Sequence, residues 1–266
     1  MVELCAPDKE YNDGSCYSLD ELVKMVKSYN EHFTNNQIPM IYNKKYLVKE
    51  LNLKLKNVCN DQICWLEQDF VKDLNDDNIN ETFRPKGPSN SLKWLNTTNI
   101  DKVLRQYYKL YPEFIFYGAV PIDFDDLPFY GIKNIDFDKL QSEGKYKLGF
   151  VFNTDEHYKS GSHWIALFCN LKECNIYFFD SNGIKPEYRI KKLVKRIYKY
   201  FKSKNNNNIQ KRYNNIRHQF KNTECGVYSI NFILRLLKGE TFGHIIKNIT
   251  YDDDMSKCRL KYFNQE

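Results

Sequence analysis

Three stretches in the C-terminal half of the chain decide its fold: GSHWIALF at 161–168, IYFFDSNG at 176–183 and RHQFKNTECGVYSINFILRLL at 217–237. The first two are short apolar runs of the kind that form buried β-strands. The third stretch ends in apolar residues at helical spacing, which predicts a helix that begins at Cys225. Each stretch carries a polar or reactive side chain where its strand or helix begins or ends, and such points commonly hold functional groups.

The residues around these stretches complete an α+β pattern. Another apolar run, KLGFVFN at 147–153, precedes them. This run and the first two stretches are predicted to be adjacent antiparallel strands, and the tight connection LKEC joins the last two of them. We expect a basic helix at 186–204, a short strand at 213–218 and a helix at 225–238 that Gly239 ends. Strand-like alternation is hard to find before the first of these runs, so the first third of the chain is predicted to be helical.

This N-terminal third is predicted to be a separate helical arm. Ser18 and Glu21 have the spacing of a capping box, which marks the start of a helix. Helices are expected at 18–33, 44–55 and 61–74. The segment RPKGPSN at 84–90 contains two prolines and a glycine, which end a helix and turn the chain. We therefore expect an arm domain at 1–85 and a second domain at 86–266.

The composition is that of an ordinary globular protein. Of the 266 residues, 42% are apolar, which is enough for a packed core. No apolar run approaches the about 18 residues that a membrane helix needs, and the N-terminus lacks a signal-peptide pattern. We therefore expect no membrane span and a location in the cytosol or nucleus, where eight cysteines without a framework spacing remain reduced.

Two features of the sequence suggest binding functions. Cys59 and Cys64 form a C-x4-C pair, but no second pair of Cys or His follows at zinc-finger spacing, so neither a metal site nor a cofactor is predicted. The excess of Lys and Arg, 40 against 34 Asp and Glu, is concentrated in the helix expected at 186–204. Its outward face is either simply solvated or a contact for DNA or RNA. The residues of that face are Lys191, Lys192, Lys195, Arg196 and Lys199.

The polar side chains at the strand and helix ends form a catalytic set. Cys225 is expected in the first turn of its helix, where unpaired backbone N–H groups and a nearby imidazolium stabilise a thiolate. His163 can take the thiol proton, and Asp180 can hold the imidazole in the required tautomer. Gln219 can donate its amide to a developing oxyanion, together with the backbone N–H of Cys225. This combination predicts a thiol protease.

Neighbouring residues refine this prediction. Thr223 is the expected N-cap of the helix, and Gly226 is expected to let a substrate backbone come close. His157 and His218 lie near enough in the sequence to compete as the base. Because His157 follows two acidic residues in a predicted loop, whereas His163 starts a predicted strand, His163 is preferred.

Taken together, these motifs resemble those of a known family. The HW pair at 163–164, the acid at a strand end, the glutamine six residues before the cysteine and the ECG at 224–226 are similar to those of the ubiquitin-like-protein proteases. This clan of cysteine peptidases also contains adenovirus protease, and its chain order of His, Asp, Gln and Cys differs from that of papain, in which the cysteine comes first. NIRHQ at 215–219 and TECG at 223–226 are most similar to the polyprotein proteases of African swine fever virus and other large DNA viruses.

The resemblance implies a fold and an activity. The fold would be a papain-like α+β core with a central mixed β-sheet flanked by helices, with the helical arm in addition. The activity would be cleavage of viral structural polyproteins after Gly-Gly during virion maturation, in the virus factory of the host cytoplasm and in the virion. Removal of SUMO or other ubiquitin-like modifiers, which also end in Gly-Gly, is the alternative, and a module that binds nucleic acid is a further one.

The resemblance also implies substrate contacts. WLNTTNI at 94–100 is similar to a segment whose tryptophan covers a narrow tunnel in cellular members of the family. Trp94 and Trp164 would then enclose the two glycines before the cut. Asn222 stands where the viral enzyme has glutamine, which makes it an alternative oxyanion donor. The spacing in cellular members favours Gln219.

Overall fold

The computed structural model describes residues 4–88 and 93–265, and its backbone divides into two compact units, Met1–Lys86 and Gly87–Glu266. This division lies next to the boundary expected at about residue 85. The last residues of the RPKGPSN segment, from position 89 onward, lie outside the described residues. We describe each unit by itself.

The first unit is helical, as its sequence predicts. Its α-helices in the described residues are α1 (Leu19–His32), α2 (Lys44–Leu55), α3 (Asp69–Lys72) and α4 (Asp77–Asn80). Helix α1 begins with the predicted capping box, in which the backbone N–H of Glu21 donates to Ser18 Oγ and the N–H of Ser18 donates back to the carboxylate of Glu21. The helix expected at 61–74 is broken into a 3-10 helix at Cys64–Glu67 and the short α3. The apolar faces pack into a core of their own around Trp65.

Two disulfides lie in this unit, and the prediction that all cysteines are reduced is wrong. Cys5 is bonded to Cys16 and Cys59 to Cys64, and the Cα atoms are 5.4 Å apart in each pair. The two sulfur atoms of the C-x4-C pair thus bind each other. The free cysteines Cys169, Cys174, Cys225 and Cys258 all belong to the second unit. Sequence spacing failed here because a disulfide depends on local turns that bring two Cβ atoms together, and spacing does not reveal those turns.

The second unit contains a five-stranded mixed sheet. Outside it lie the two-residue strands β1 (Lys86–Gly87) and β7 (Asn264–Gln265). The sheet consists, in spatial order, of β2 (Phe114–Pro121), β3 (Lys147–Asn153), β4 (Trp164–Asn170), β5 (Asn175–Phe179) and β6 (Gln210–Tyr213). Strands β3, β4 and β5 pair antiparallel as predicted, whereas β2 and β6 add to the two sides in parallel.

Two strands differ from the sequence prediction. Strand β2 precedes residue 147, where no strand was expected. Its sequence FIFYGAVP is apolar throughout and half or fully buried, so it lacks the alternation that marks a strand with one wet face. Strand β6 ends at Tyr213, where the predicted strand was to begin. All four of its residues are exposed at the sheet edge, and their polar sequence QKRY carries no apolar signal.

Helices cover both faces of the sheet. They are α5 (Thr97–Arg105), α6 (Phe137–Ser142), α7 (Tyr188–Ser203), α8 (Cys225–Leu237), α9 (Phe242–Lys247) and α10 (Asp252–Tyr262). Helices α5 and α8 pack on one face and α7 on the other. Side chains alternate along β4, so that Trp164 and Ala166 point towards α8 while Ile165 points towards α7. In the part of the chain that the structure describes, no helix has the length and apolar character needed to cross a bilayer.

Candidate active site

The centre of the site is a histidine–aspartate pair at the ends of two neighbouring strands. His163 comes directly before β4, and Asp180 directly follows β5, which is antiparallel to β4. The two side chains therefore meet at the same edge of the sheet. The Nε2 of His163 lies 2.7 Å from Oδ1 of Asp180, and the two side chains are only 16% and 6% exposed.

The thiol of Cys225 completes this cluster. Cys225 is the first residue of α8 and is 2% exposed, so its sulfur lies beside the unpaired N–H groups of the first helical turn. Cys225 is close enough to His163 to raise the pKa of its imidazole, through hydrogen bonding and through charge. Because Nε2 is engaged by Asp180, Nδ1 is the nitrogen left to act on the thiol.

The environment of His163 favours the charged imidazolium. Burial of the ring lowers its pKa, but the hydrogen bonds to Asp180 and Cys225 outweigh this effect and raise the pKa from 6.5 to about 9. A charged neighbour in this position stabilises a thiolate. The cluster can therefore hold an activated sulfur nucleophile next to a proton donor.

Gln219 is joined to the same cluster through Ser181, the residue after Asp180. The hydroxyl of Ser181 donates to Oε1 of Gln219 at 2.6 Å, and both residues are buried. Asn222, the alternative oxyanion donor, is exposed, and within residues 4–88 and 93–265 no hydrogen bond ties it to these groups. Gln219 is thus the amide that the structure brings to the catalytic residues.

Two asparagines that the sequence did not single out hold Asp180. The side chain of the fully buried Asn214 accepts from the N–H of Asp180 at 2.9 Å and donates to its C=O at 2.7 Å. It thereby continues the pairing of β5 and β6 past the end of the ladder. The N–H of Asn182 donates to Oδ1 of Asp180 at 2.8 Å, and its side-chain nitrogen lies 3.3 Å from Nε2 of His163. The DSNG turn was the only sequence signal for this support.

The start of α8 differs from the prediction. The N-cap is Glu224 and not Thr223, and it makes no side-chain capping bond. Instead its carboxylate is buried against the guanidinium of Arg259 on α10, with Nη2 and Oε2 2.8 Å apart. Arg259 also donates to the carbonyl oxygens of Pro88 and Lys93 at 3.1 and 2.7 Å. A buried ion pair therefore anchors the residue before the nucleophile, and nothing in the local sequence indicated it.

The space over Gly226 is filled by protein and not left for substrate, so the expectation for this glycine is wrong. A Cβ placed on it would lie 3.0 Å from Leu95 Cβ and 3.3 Å from Trp164 Cδ1. The indole Nε1 of Trp164 in turn donates to the carbonyl oxygen of Leu95 at 2.8 Å. The glycine is needed because these two side chains pack directly on the first turn of α8.

The two tryptophans border one cavity. It has a volume of about 340 Å³, and its walls include Trp94, Leu95, Gly161 and Trp164. Trp164 is almost fully buried, whereas Trp94 is 44% exposed, as expected of a side chain at a cavity mouth. Both tryptophans are thus placed where a substrate strand could pass between them.

The other two histidines near the motif have different partners. His157 pairs through Nδ1 with Oδ2 of Asp123 at 2.5 Å, and its N–H donates to the same carboxylate. The buried imidazole of His218 packs edge-on against Phe179. The backbone carbonyl of His218 accepts from the hydroxyl of Tyr228 at 3.0 Å. The structure therefore places His163, and neither of these, at the thiol.

The basic face of α7 is smaller than the sequence suggested. Lys191, Lys192, Lys195 and Lys199 are exposed. Arg196 is instead engaged by the carboxylate of Asp125, at 2.9–3.1 Å, and by the carbonyl of Ile132. Its inclusion among outward-facing cations was wrong, because helical spacing does not show which long side chains fold back onto a neighbouring loop.

Comparisons with known proteins agree with this geometry. Residues 149–266 match the Ulp1 protease family, C-terminal catalytic domain. A thiol protease of Acanthamoeba polyphaga mimivirus is 35% identical over 287 residues, which cover 100% of this chain and 94% of that protein. A SUMO-1 cysteine protease of African swine fever virus is 27% identical over 271 residues, or 92% of this chain and 98% of that one. The crystal structure of the African swine fever virus protease matches 100% of this chain and 97% of its own, with a TM-score of 0.71 and 25% sequence identity. The chain therefore belongs to the Ulp1 family of cysteine proteases, and these relatives are viral proteins.

Proposed function

We propose that this protein is a viral endopeptidase that cleaves structural polyproteins after Gly-Gly during virion maturation. The observation that carries the proposal is the cavity of about 340 Å³ whose walls include Trp94, Leu95 and Trp164, the residue after His163. A substrate strand that passes between these large side chains towards Cys225 has little room for side chains of its own, and glycine is the residue without one.

The geometry supports a cysteine protease mechanism. His163 accepts the proton of the Cys225 thiol, and the sulfur attacks the carbonyl carbon of the second glycine. The backbone N–H of Cys225 and the amide of Gln219 donate to the oxyanion that forms. His163 then gives the proton to the leaving amine as the C–N bond breaks and a thioester to Cys225 remains. Water that loses a proton to His163 hydrolyses the thioester, while Asp180 keeps the imidazole oriented.

The first test is hydrolysis of fluorogenic Gly-Gly-X peptides. Wild type should cut them, and Cys225→Ala should not. Replacement of either glycine by alanine should lower kcat/KM by about 5- to 150-fold, the rate equivalent of the about 1–3 kcal/mol that an extra methyl costs in a filled space. An Ala-Gly peptide cut as fast as Gly-Gly would overturn the proposal. Leu95→Ala is the matched variant, since it widens this cavity and should restore part of the cleavage of alanine-containing peptides.

Removal of a ubiquitin-like modifier is the second candidate function. The African swine fever virus relative bears the name of a SUMO-1 cysteine protease, and the family resemblance implies modifiers that end in Gly-Gly. Intact SUMO and ubiquitin fusions should therefore be compared with Gly-Gly peptides under identical conditions. Preferential cleavage of the folded fusions would favour deconjugation over polyprotein processing.

Two further parts of the proposal concern where the protein acts and whether it binds nucleic acid. For polyprotein processing we propose the virus factory in the host cytoplasm and the virion as the sites of action. The exposed side chains of Lys191, Lys192, Lys195 and Lys199 on α7 support a contact with DNA or RNA that holds the enzyme near its substrate. Binding to single-stranded or duplex oligonucleotides should then weaken steeply with salt. The double variant Lys191→Gln/Lys195→Gln should reduce the slope of log K against log salt by the amount that about two phosphate contacts contribute. Absence of binding would remove nucleic acid from the list of partners, and binding that is independent of salt would show that these lysines do not make the contact.

A further inference from the structure

Ser181 lies between the two halves of the catalytic cluster. The preceding residue, Asp180, bonds to His163, and the hydroxyl of Ser181 donates to Oε1 of Gln219 at 2.6 Å. Ser181 is 1% exposed and Gln219 is 2% exposed, so water does not compete for this hydrogen bond. One dipeptide thus contacts both the base and the amide proposed to bind the oxyanion.

The backbone of Ser181 holds the same glutamine. Its carbonyl oxygen accepts from the N–H of His218 at 2.8 Å and from the N–H of Gln219 at 2.9 Å. The main chain at position 219 is therefore fixed independently of the serine side chain. Removal of the hydroxyl alone should leave Gln219 in place and change only the freedom of its amide group.

That freedom matters because the two ends of an amide have nearly the same shape but opposite hydrogen-bonding character. The oxygen can only accept and the nitrogen can only donate. With Oε1 occupied by Ser181, the nitrogen is the end that remains available. In the described part of the chain, the amide nitrogen of Gln219 has no hydrogen-bond partner of its own. A half-turn of the amide would exchange the two ends and present an oxygen to the oxyanion.

We propose that Ser181 is a positioning residue whose hydroxyl keeps the amide nitrogen of Gln219 directed at the oxyanion. The proposal rests on the oxyanion role of Gln219 within the proposed function. The hydroxyl acts on the transition state and not on substrate binding, since the oxyanion exists only after the sulfur has attacked.

The test is a pair of substitutions measured with a Gly-Gly peptide. Ser181→Ala should lower kcat about tenfold or more, up to the about 10²–10³-fold that loss of one oxyanion donor costs, while KM changes less than about threefold. Ser181→Thr keeps the hydroxyl and should retain most of the activity. The rate of alkylation of Cys225 by iodoacetamide should be unchanged in both, because that reaction develops no oxyanion.

The chain offers a matched control for loss of a buried hydrogen bond. In the first unit, the hydroxyl of Ser15 donates to Oε1 of Gln62, also at 2.6 Å and also buried. Ser15→Ala removes an equivalent bond and should leave kcat unchanged. A kcat for Ser181→Ala within twofold of wild type would overturn the proposal.

A double-mutant cycle separates this inference from the function on which it rests. In a Gln219→Ala background, Ser181→Ala should have no further effect on kcat, because the group that it orients is gone. An undiminished effect in that background would show that Ser181 acts by another route. Wild-type kcat in Gln219→Ala itself would instead refute the oxyanion role.

Discussion

Replacement of Arg259 by methionine should strongly destabilise the second unit. The side chains of Arg259 and Glu224, which form an ion pair, are each 1% exposed. Arg259 donates two hydrogen bonds to that carboxylate and others to the carbonyls of Pro88, Lys93 and Thr223. Methionine fills much of the same volume but leaves a buried negative charge and three carbonyl groups without this donor.

The size of the effect follows from the burial. Loss of one partner of a buried ion pair costs about 3–5 kcal/mol, because the remaining charge has neither water nor a counterion. For a unit of this size, each kcal/mol corresponds to about 2–4 °C in melting temperature, so we expect a decrease of about 6–20 °C. Glu224→Gln in the Arg259→Met background removes the stranded charge and should recover part of this loss.

The assay is urea unfolding at pH 7, followed by tryptophan fluorescence and circular dichroism. Lys257→Met is the control on the same helix, since its ion pair with Asp254 is exposed to solvent and should contribute little to stability. A free energy of unfolding for Arg259→Met within 1 kcal/mol of wild type would refute the reasoning. A double variant whose loss in free energy of unfolding exceeds the summed losses of the two single variants would refute it as well.

Four further predictions concern protonation and packing. Asp180→Asn should lower the pKa of His163 from about 9, so the alkaline limb of the pH profile of kcat/KM should move to lower pH, and an unchanged limb would contradict the assignment. The same raised pKa means that wild type should lose stability as pH rises from about 6.5 towards 9, and this slope should flatten in Asp180→Asn. Burial lowers the pKa of His218, so stability should also fall below pH 6.5, and unfolding curves of His218→Phe should lack this acid dependence. Gly226→Ala should displace Leu95, cost about 1–3 kcal/mol of stability and reduce peptide cleavage; normal activity at full stability would show that the crowding at this position is unimportant.

Helices and strands could be predicted where their burial leaves an apolar pattern within the segment itself. Strands β3, β4 and β5 and helices α2 and α8 were found because their apolar runs are continuous or have helical spacing. Strand β2 lacks alternation since both of its faces are covered, and β6 lacks apolar residues since both of its faces are wet. Sequence periodicity reports which side of a segment is buried, so it cannot distinguish a strand covered on both faces from a helix, or a fully exposed strand from a loop.

The site was predictable as far as its chemistry identifies itself. A cysteine, a histidine, a carboxylate and a glutamine in this order predict a thiol protease, and the structure brings these four residues together. Their supports could not be found in the same way. Asn214 contacts Asp180 across 34 positions, and Arg259 contacts Glu224 across 35. Such polar residues are common in any sequence, and only the folded chain shows which of them are partners.

The disulfides of the first unit give the enzyme two opposed redox requirements. Cys225 acts only as a reduced sulfur, whereas Cys5–Cys16 and Cys59–Cys64 exist only when oxidised. Disulfides that close loops of this length contribute about 2–3 kcal/mol each, a large share of the about 5–15 kcal/mol that holds a typical domain folded. A titration with reductant should therefore first restore activity to oxidised enzyme and, at higher concentration, loosen the arm. The enzyme is therefore active and fully folded only in the range of redox potential in which Cys225 is reduced and both disulfides of the arm remain oxidised.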